Sequence, residues 1–108
     1  MLKKANRLAK AEDIALAFTR GRTFFNPFFT LKFLPLAAQK RFTVVVSTKV
    51  FKNAVDRNRL KRILREHLRK NLPVFRNGDY MIMTKPKISR LSEADVMKNF
   101  LELLSKIK

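Results

Sequence analysis

Apolar residues recur at helical spacing in three segments: residues 11–20, 53–72 and 92–107. Gly21 follows the first segment and Pro73 follows the second, and both residue types commonly end helices. The third segment begins with a serine and two acids, which is typical of an N-terminal cap. The predicted apolar stripes consist of Ile14, Ala17 and Phe18, then Leu60, Ile63, Leu64, His67, Leu68 and Asn71, then Val96, Met97, Phe100, Leu101, Leu104 and Ile107.

Three further segments have the residue types of strands. Residues 23–36 are rich in Phe and Thr but contain Pro27, which predicts an edge strand with a break. Residues 41–47 are β-branched and apolar throughout, which predicts a central strand covered on both faces. A turn at 77–79 leads into a short apolar run at 80–84, the last predicted strand.

This order of elements predicts an α+β fold, a two-layer sandwich with its helices mainly on one face of the sheet. The other face, or the groove beside the central helix, is then free for a partner. A length of 108 residues with 46% apolar residues suits one domain, residues 1–108, with its own core.

Charge identifies the class of partner. The chain has 25 Lys and Arg against 8 Asp and Glu, a net charge of +17, so we expect it to bind a polyanion. It has no run of apolar residues long enough for a transmembrane helix, and its first seven residues are too polar for a signal peptide. We therefore expect a cytoplasmic protein that binds nucleic acid and no membrane.

Residue types for protein-based catalysis are scarce. The chain has no cysteine and one histidine, His67, which falls in an apolar stripe and is expected to pack there. Ser47 has no neighbouring base in a nucleophile motif, and two glycines cannot form a phosphate-binding loop. We expect neither a metal site nor catalytic residues on this chain.

Positive charge is concentrated in the central helix. Nine of the residues from 49 to 70 are Lys or Arg, and two are acidic. On a helical wheel Lys61, Arg62, Arg65 and Arg69, with Asn58 among them, lie opposite the apolar stripe. Arginine grips phosphate with its planar fork, and asparagine can bond a base edge or ribose, so this face is expected to meet RNA.

The segment 52–66 resembles the signature of the bacterial ribonuclease P protein family, which is Arg-Asn-Arg, an apolar residue and Lys-Arg. Here the signature reads Arg57-Asn58-Arg59-Leu60-Lys61-Arg62. Flanking residues extend the resemblance over nearly the whole chain, and they are Arg7, Leu8, Asp13, Phe18, Gly21, Val45, Val46, Ser47, Lys49, Asp79, Tyr80 and Pro86.

The resemblance implies a fold and a function. The fold is a mixed sheet of about four strands with three helices in the order α-β-β-β-α-β-α, similar to the second domain of a ribosomal protein, with a left-handed crossover between parallel strands. The function is that of a subunit that binds the catalytic RNA of ribonuclease P and the 5′ leader of precursor transfer RNA. The RNA, with its Mg²⁺, would then cleave the leader.

The resemblance also implies two sets of site residues. Those expected to dock on the ribonuclease P RNA are Lys52, Arg57, Asn58, Arg59, Lys61, Arg62, Arg65 and Arg69. Those expected to line a cleft for the single-stranded leader are Phe18, Phe29, Ser47, Lys49 and Lys85. The chain departs from many relatives at Ile14, in place of a second cleft aromatic, and at Phe51-Lys52-Asn53, in place of a shorter approach to the helix.

Alternatives stay open at the level of residues and of function. Phe18 and Phe29 can equally belong to the core, because aromatic residues on apolar stripes usually do. A basic structural protein of the ribosome would have the same size, charge and fold. A DNA-binding module is the third possibility, but the sequence has no clear helix-turn-helix pair.

Overall fold

The computed structural model describes residues 3–36 and 39–107; residues 1, 2, 37, 38 and 108 of the predicted domain lie outside this description. The elements follow the order predicted by the resemblance, α-β-β-β-α-β-α. They are α1 (Ala11–Arg20), β1 (Arg22–Phe25), β2 (Phe29–Pro35), β3 (Lys40–Val45), α2 (Ala54–Lys70), β4 (Gly78–Thr84) and α3 (Glu93–Leu104). Short 3₁₀ turns occur at Lys4–Asn6, Leu72–Val74 and Pro86–Arg90.

The four strands form one mixed sheet in the spatial order β1-β2-β4-β3. β1 pairs antiparallel with β2, and β2 pairs antiparallel with β4. β3 and β4 are parallel neighbours, so α2 is the crossover between them. This confirms the mixed α+β fold, while the left-handed sense of the crossover stays a prediction.

The segment 23–36 forms a hairpin, not the single broken edge strand expected from its sequence. Asn26 makes the turn: its side-chain Oδ1 accepts hydrogen bonds from the backbone N–H groups of Phe28 and Phe29, both at 2.9 Å. Pro27 lies inside this turn, where its fixed φ favours chain reversal. The break in the pattern is therefore a reversal of direction that produces two strands.

The prediction of a central strand at 41–47 is wrong, because β3 lies at the edge of the sheet and β4 lies inside it. In β3 Phe42 and Val44 are buried, whereas Val45 is 39% exposed. The free edge is shielded by the N-terminal segment, where the Leu8 N–H donates to the Phe42 carbonyl at 2.8 Å. This local cover lets an edge strand be as apolar as a central one.

The core lies between the sheet and the helices α2 and α3. Leu60, Leu64 and Leu68 of α2 are buried there, as are Val96, Phe100 and Leu103 of α3. The sheet contributes aromatic rings to the same core, including Phe29, Phe33, Phe42 and Tyr80. Two residues of the predicted stripes stay outside: Phe18 and Leu101 are each 49% exposed.

The first helix, α1, packs on the opposite face of the sheet. Side chains alternate along strands, so Arg41 and Asp79 point away from their buried neighbours Phe42 and Tyr80. Arg41 binds both carboxylate oxygens of Asp79, each at 2.7 Å, and reaches Asp13 of α1 at 3.1 Å. This ion pair ties α1 to the first residues of β3 and β4.

Candidate nucleic-acid interface

The basic face of α2 points away from the core. Asn53 caps the helix by accepting a hydrogen bond from the Val55 N–H at 2.8 Å, and burial of the leucine stripe then fixes the rotation of the helix. Five of the eight residues predicted to dock on RNA are exposed: Lys52, Asn58, Arg59, Arg62 and Arg69. Lys61 and Arg65 are half-buried. The residues Asn58, Arg62, Arg65 and Glu66 line an open cavity of about 340 Å³ on this face.

Arg57 differs from the other residues of the signature. Its guanidinium donates through Nη1 to the backbone carbonyls of Phe51 and Lys52, both at 2.9 Å. It is also half-buried, so it holds the loop that leads into α2. The side chain therefore has a structural task in addition to any contact with RNA.

Arg69 is paired within its own helix. Its Nε donates to Glu66 Oε1 at 3.0 Å, and its Nη2 contacts the same oxygen. The hydrogen bond from Arg69 lowers the pKa of the Glu66 carboxyl to about 2, so this residue is charged at neutral pH. Part of the positive charge at this end of the helix is thereby neutralised.

A second candidate surface lies on the sheet face that carries α1. Phe18 of α1 is exposed, and the Lys32 ammonium lies 5.2 Å from the centroid of its ring. Lys32 is held by a hydrogen bond to Thr23 Oγ1 at 2.7 Å. Of the two alternatives for Phe18, the structure thus gives exposure, with a cation beside an accessible aromatic ring.

Phe29 is a correction to the predicted cleft. Its side chain is fully buried, and its ring packs against Phe100 with centroids 5.3 Å apart. β2 points Phe29, Leu31 and Phe33 into the core and turns Thr30 and Lys32 to the other face. Phe29 therefore belongs to the core and cannot stack on a base.

The three remaining predicted cleft residues lie at one edge of the sheet. Ser47 and Lys49 follow β3, and Lys85 follows β4. Because β3 and β4 are parallel neighbours, both strands end at this edge. Ser47 and Lys49 are exposed, and the Lys85 ammonium donates to the Asn26 carbonyl at 2.8 Å.

Sequence reasoning missed Lys32 and Phe25 on this surface. Phe25 is 64% exposed, and the Lys85 ammonium lies 5.2 Å from its ring centroid. Side chains alternate between the two faces of a strand, so this alternation in β1 and β2 would have distinguished Lys32 and Phe25 from the core phenylalanines. That separation required the hairpin to be recognised first.

His67 lies on neither surface. Its ring packs edge-on against Phe100, with centroids 5.7 Å apart, and its Nε2 is buried without a hydrogen-bond partner. Burial, and secondarily the charge of Lys70, lowers the pKa of this imidazole. Residues 3–36 and 39–107 contain no group of three or more His, Cys, Asp or Glu placed to hold a metal ion. Nor does a helix in these ranges have the length and apolar character needed to cross a bilayer.

Comparison with known proteins identifies close relatives. A family model described as Ribonuclease P matches residues 2–108. The chain is 34% identical to the ribonuclease P protein component of an Exiguobacterium species, over 99% of this chain and 94% of the relative. It is 36% identical to that of Dehalococcoides mccartyi, over 97% of this chain and 87% of the relative.

Solved structures show the same fold. The ribonuclease P protein from Thermotoga maritima aligns with a TM-score of 0.83 and 31% identity, covering 94% of this chain and 97% of the other. The protein from Staphylococcus aureus aligns with a TM-score of 0.91 at 22% identity, covering 97% of both chains.

Proposed function

Because this chain belongs to the ribonuclease P family, as a ribonuclease P protein component, we propose that it divides its RNA contacts between two surfaces. The exposed face of α2 docks on the RNA subunit. The sheet face beside Phe18 holds the single-stranded 5′ leader of precursor transfer RNA. Family membership over residues 2–108 also displaces the alternatives of a ribosomal structural protein and a DNA-binding module.

The docking proposal rests on how α2 is packed. The helix buries its leucines and turns Asn58, Arg59 and Arg62 toward solvent. A helix face dense in guanidinium groups can neutralise several RNA phosphates and release their counterions. The affinity of this face for RNA is therefore chiefly electrostatic, and Asn58 is the residue able to bond a base or ribose.

The leader proposal rests on Phe18 and its neighbour Lys32. An exposed ring beside an ammonium group offers stacking to a base and charge to the adjoining phosphate. Each of these interactions accepts any base, which suits a leader whose sequence varies between precursors. Ser47, Lys49 and Lys85 at the edge of the sheet would extend the same track.

The chemistry is assigned to the RNA subunit and its Mg²⁺. The protein's cations lower the repulsion between the two RNAs and so replace part of the electrostatic role of Mg²⁺. No side chain of this protein acts on the scissile phosphate in this proposal.

Reconstitution tests this function directly. The protein with its cognate RNA subunit should cleave precursor transfer RNA at Mg²⁺ concentrations at which the RNA alone is slow, measured as the rate of 5′ leader release. The protein without the RNA should release none. Rapid cleavage by RNA-free protein would contradict the proposal, as would a failure to stimulate the RNA at any Mg²⁺ concentration.

A further inference from the structure

Phe25, at the end of β1, is exposed on the sheet face that carries α1, but it has no role in the proposed function. Its exposed fraction of 64% exceeds that of Phe18, the other exposed phenylalanine among the described residues. A ring directed at water gains nothing for the fold, because it removes little apolar surface from solvent. Its position in the sheet indicates another use.

Strand pairing places Phe25 on the same face as Phe18 and Lys32. Phe25 lies opposite Thr30, and Thr23 lies opposite Lys32. Thr30 and Lys32 are two residues apart on β2, so they share a face and are separated by about 7 Å along the strand. Phe25 therefore lies on the same face as Phe18, at the edge at which β4 ends. The C-terminal end of α3, the helix on the core face, reaches the same edge.

Cations surround this second ring. The Lys85 ammonium lies over it, 5.2 Å from the centroid, and the Lys106 ammonium lies 3.4 Å from the Phe25 carbonyl oxygen. Lys87 lines the same open cavity of about 510 Å³, together with Asn26, Pro27 and a single carboxylate, Glu102. Three ammonium groups against one carboxylate leave a net positive site around an aromatic surface.

We propose that this cavity is a second stacking site for the single-stranded leader, in which a nucleotide beyond those at Phe18 places its base on Phe25. Lys85, Lys87 and Lys106 face its phosphates. The inference rests on the proposed function of the Phe18 surface and extends it across the sheet to the β1–β2 turn.

The chemistry favours single-stranded RNA over other ligands. An aromatic ring with lysines around it is the pattern of sequence-tolerant strand binding, in which stacking and phosphate charge act together. A duplex would bury its bases and leave the ring without a partner. The site is also open and shallow, so a flexible strand can pass over it.

Site-specific crosslinking tests the occupant. The chain has no cysteine, so Phe18→Cys and Phe25→Cys each introduce a single thiol for a photoactivated aryl azide. The labelled proteins are assembled with the cognate RNA and a precursor whose leader is long enough to pass both rings, on the order of ten nucleotides. The expected result is that both probes label the leader, at different nucleotides.

The outcomes separate the two proposals. If the Phe25 probe labels only the RNA subunit or the mature part of the transfer RNA, the second site is wrong. The same holds if it labels the same nucleotides as the Phe18 probe. If the Phe18 probe does not reach the leader, the proposed Phe18 surface fails, whatever the Phe25 probe shows.

Affinity gives an independent measure. Phe25→Ala should weaken binding of the long-leader precursor to the reconstituted enzyme by about 5- to 100-fold, as expected for one lost stacking contact. The affinity for a precursor trimmed to the last leader nucleotide should be the same for Phe25→Ala and for the unsubstituted protein. Phe25→Tyr, which keeps an aromatic ring, should bind the long-leader precursor as tightly as the unsubstituted protein does. Leu101→Ala also truncates an exposed apolar side chain but lies outside this cavity, so it is the control and should leave the affinity for both precursors unchanged. Equal losses for both precursors, or none for either, would overturn the inference.

Discussion

At the scale of single residues, neighbours decide what a phenylalanine does. Phe18 and Phe29 were expected in the same cleft, yet one is 49% exposed and the other is fully buried. Phe29 meets Phe100 of α3, whereas Phe18 meets only the end of the Lys32 side chain among the ring contacts described. The two positions should therefore respond differently to the same substitution.

Phe18→Ala should weaken binding of leader-bearing precursor by roughly 1–3 kcal/mol, through loss of a stacked base, and leave the melting temperature nearly unchanged. Phe29→Ala should instead cost about 3–5 kcal/mol of folding stability, since it empties a packed core position. Calorimetry of both variants, together with precursor and mature transfer RNA affinities, checks this. Equal binding losses for both RNAs with Phe18→Ala would show that its ring does not contact the leader.

His67 makes folding sensitive to mild acid. Its pKa in the folded protein is lowered from 6.5, chiefly by burial, so the unfolded chain binds a proton more readily. The contribution of His67 to the free energy of unfolding should be constant above about pH 6.5, and the free energy of unfolding should fall as the pH drops below that value. Urea midpoints at neutral and mildly acidic pH measure the effect. Since this is the only histidine, His67→Gln should flatten the dependence in this range; an unchanged slope would contradict the assignment.

At the scale of elements, the start of α2 combines support and recognition. Asn53 caps the helix and Arg57 holds the preceding loop by two backbone carbonyls. Asn58 and Arg59 are exposed and make no described hydrogen bond through their side chains. The signature Arg57-Asn58-Arg59 therefore contains one residue that also stabilises the fold and two that are free for RNA.

Asn58→Ala and Arg59→Ala should reduce affinity for the RNA subunit and change stability by less than about 0.5 kcal/mol. Arg57→Ala should reduce affinity and also destabilise the protein by about 1 kcal/mol, because its carbonyl contacts are lost. Leu64→Ala is the control for pure destabilisation, at roughly 2–5 kcal/mol. If Asn58→Ala and Arg59→Ala bind the RNA subunit with normal affinity, α2 is not the docking element.

At the scale of the whole molecule, charge and architecture act together. The chain of 108 residues has a net charge of +17. The sheet lies between its two proposed RNA surfaces. α2 packs on one face, while α1 is tied to the other through Arg41, Asp13 and Asp79. These ion pairs attach the helix that carries Phe18 to the sheet, so we expect the proposed leader surface to keep its shape without RNA.

The affinity for the RNA subunit should fall steeply with salt, with a slope of about −0.7 to −0.9 in log–log form for each phosphate neutralised. Arg62→Gln removes one exposed cation, so the slope should become less steep by the amount expected for one phosphate contact. Filter binding over a range of salt concentrations measures both slopes. An affinity that is independent of salt would contradict the electrostatic basis of docking.

The sequence alone determined the features that depend on short stretches of chain. The spacing of apolar residues predicted α1 with its observed bounds and placed α2 and α3 correctly. The same spacing oriented the basic face of α2, because burying Leu60, Leu64 and Leu68 leaves the opposite side to solvent. The signature at 57–62 also sufficed to identify the family.

Only the tertiary structure decided which residues become neighbours. The sequence around Pro27 did not distinguish a broken strand from a hairpin, and the apolar run of β3 did not reveal that β4 lies inside the sheet. The core position of Phe29, the loop contacts of Arg57 and the exposure of Phe25 follow from those pairings. The physical reason is that a local pattern indicates which side of an element can be buried, whereas the groups that bury a particular side chain come from distant parts of the chain.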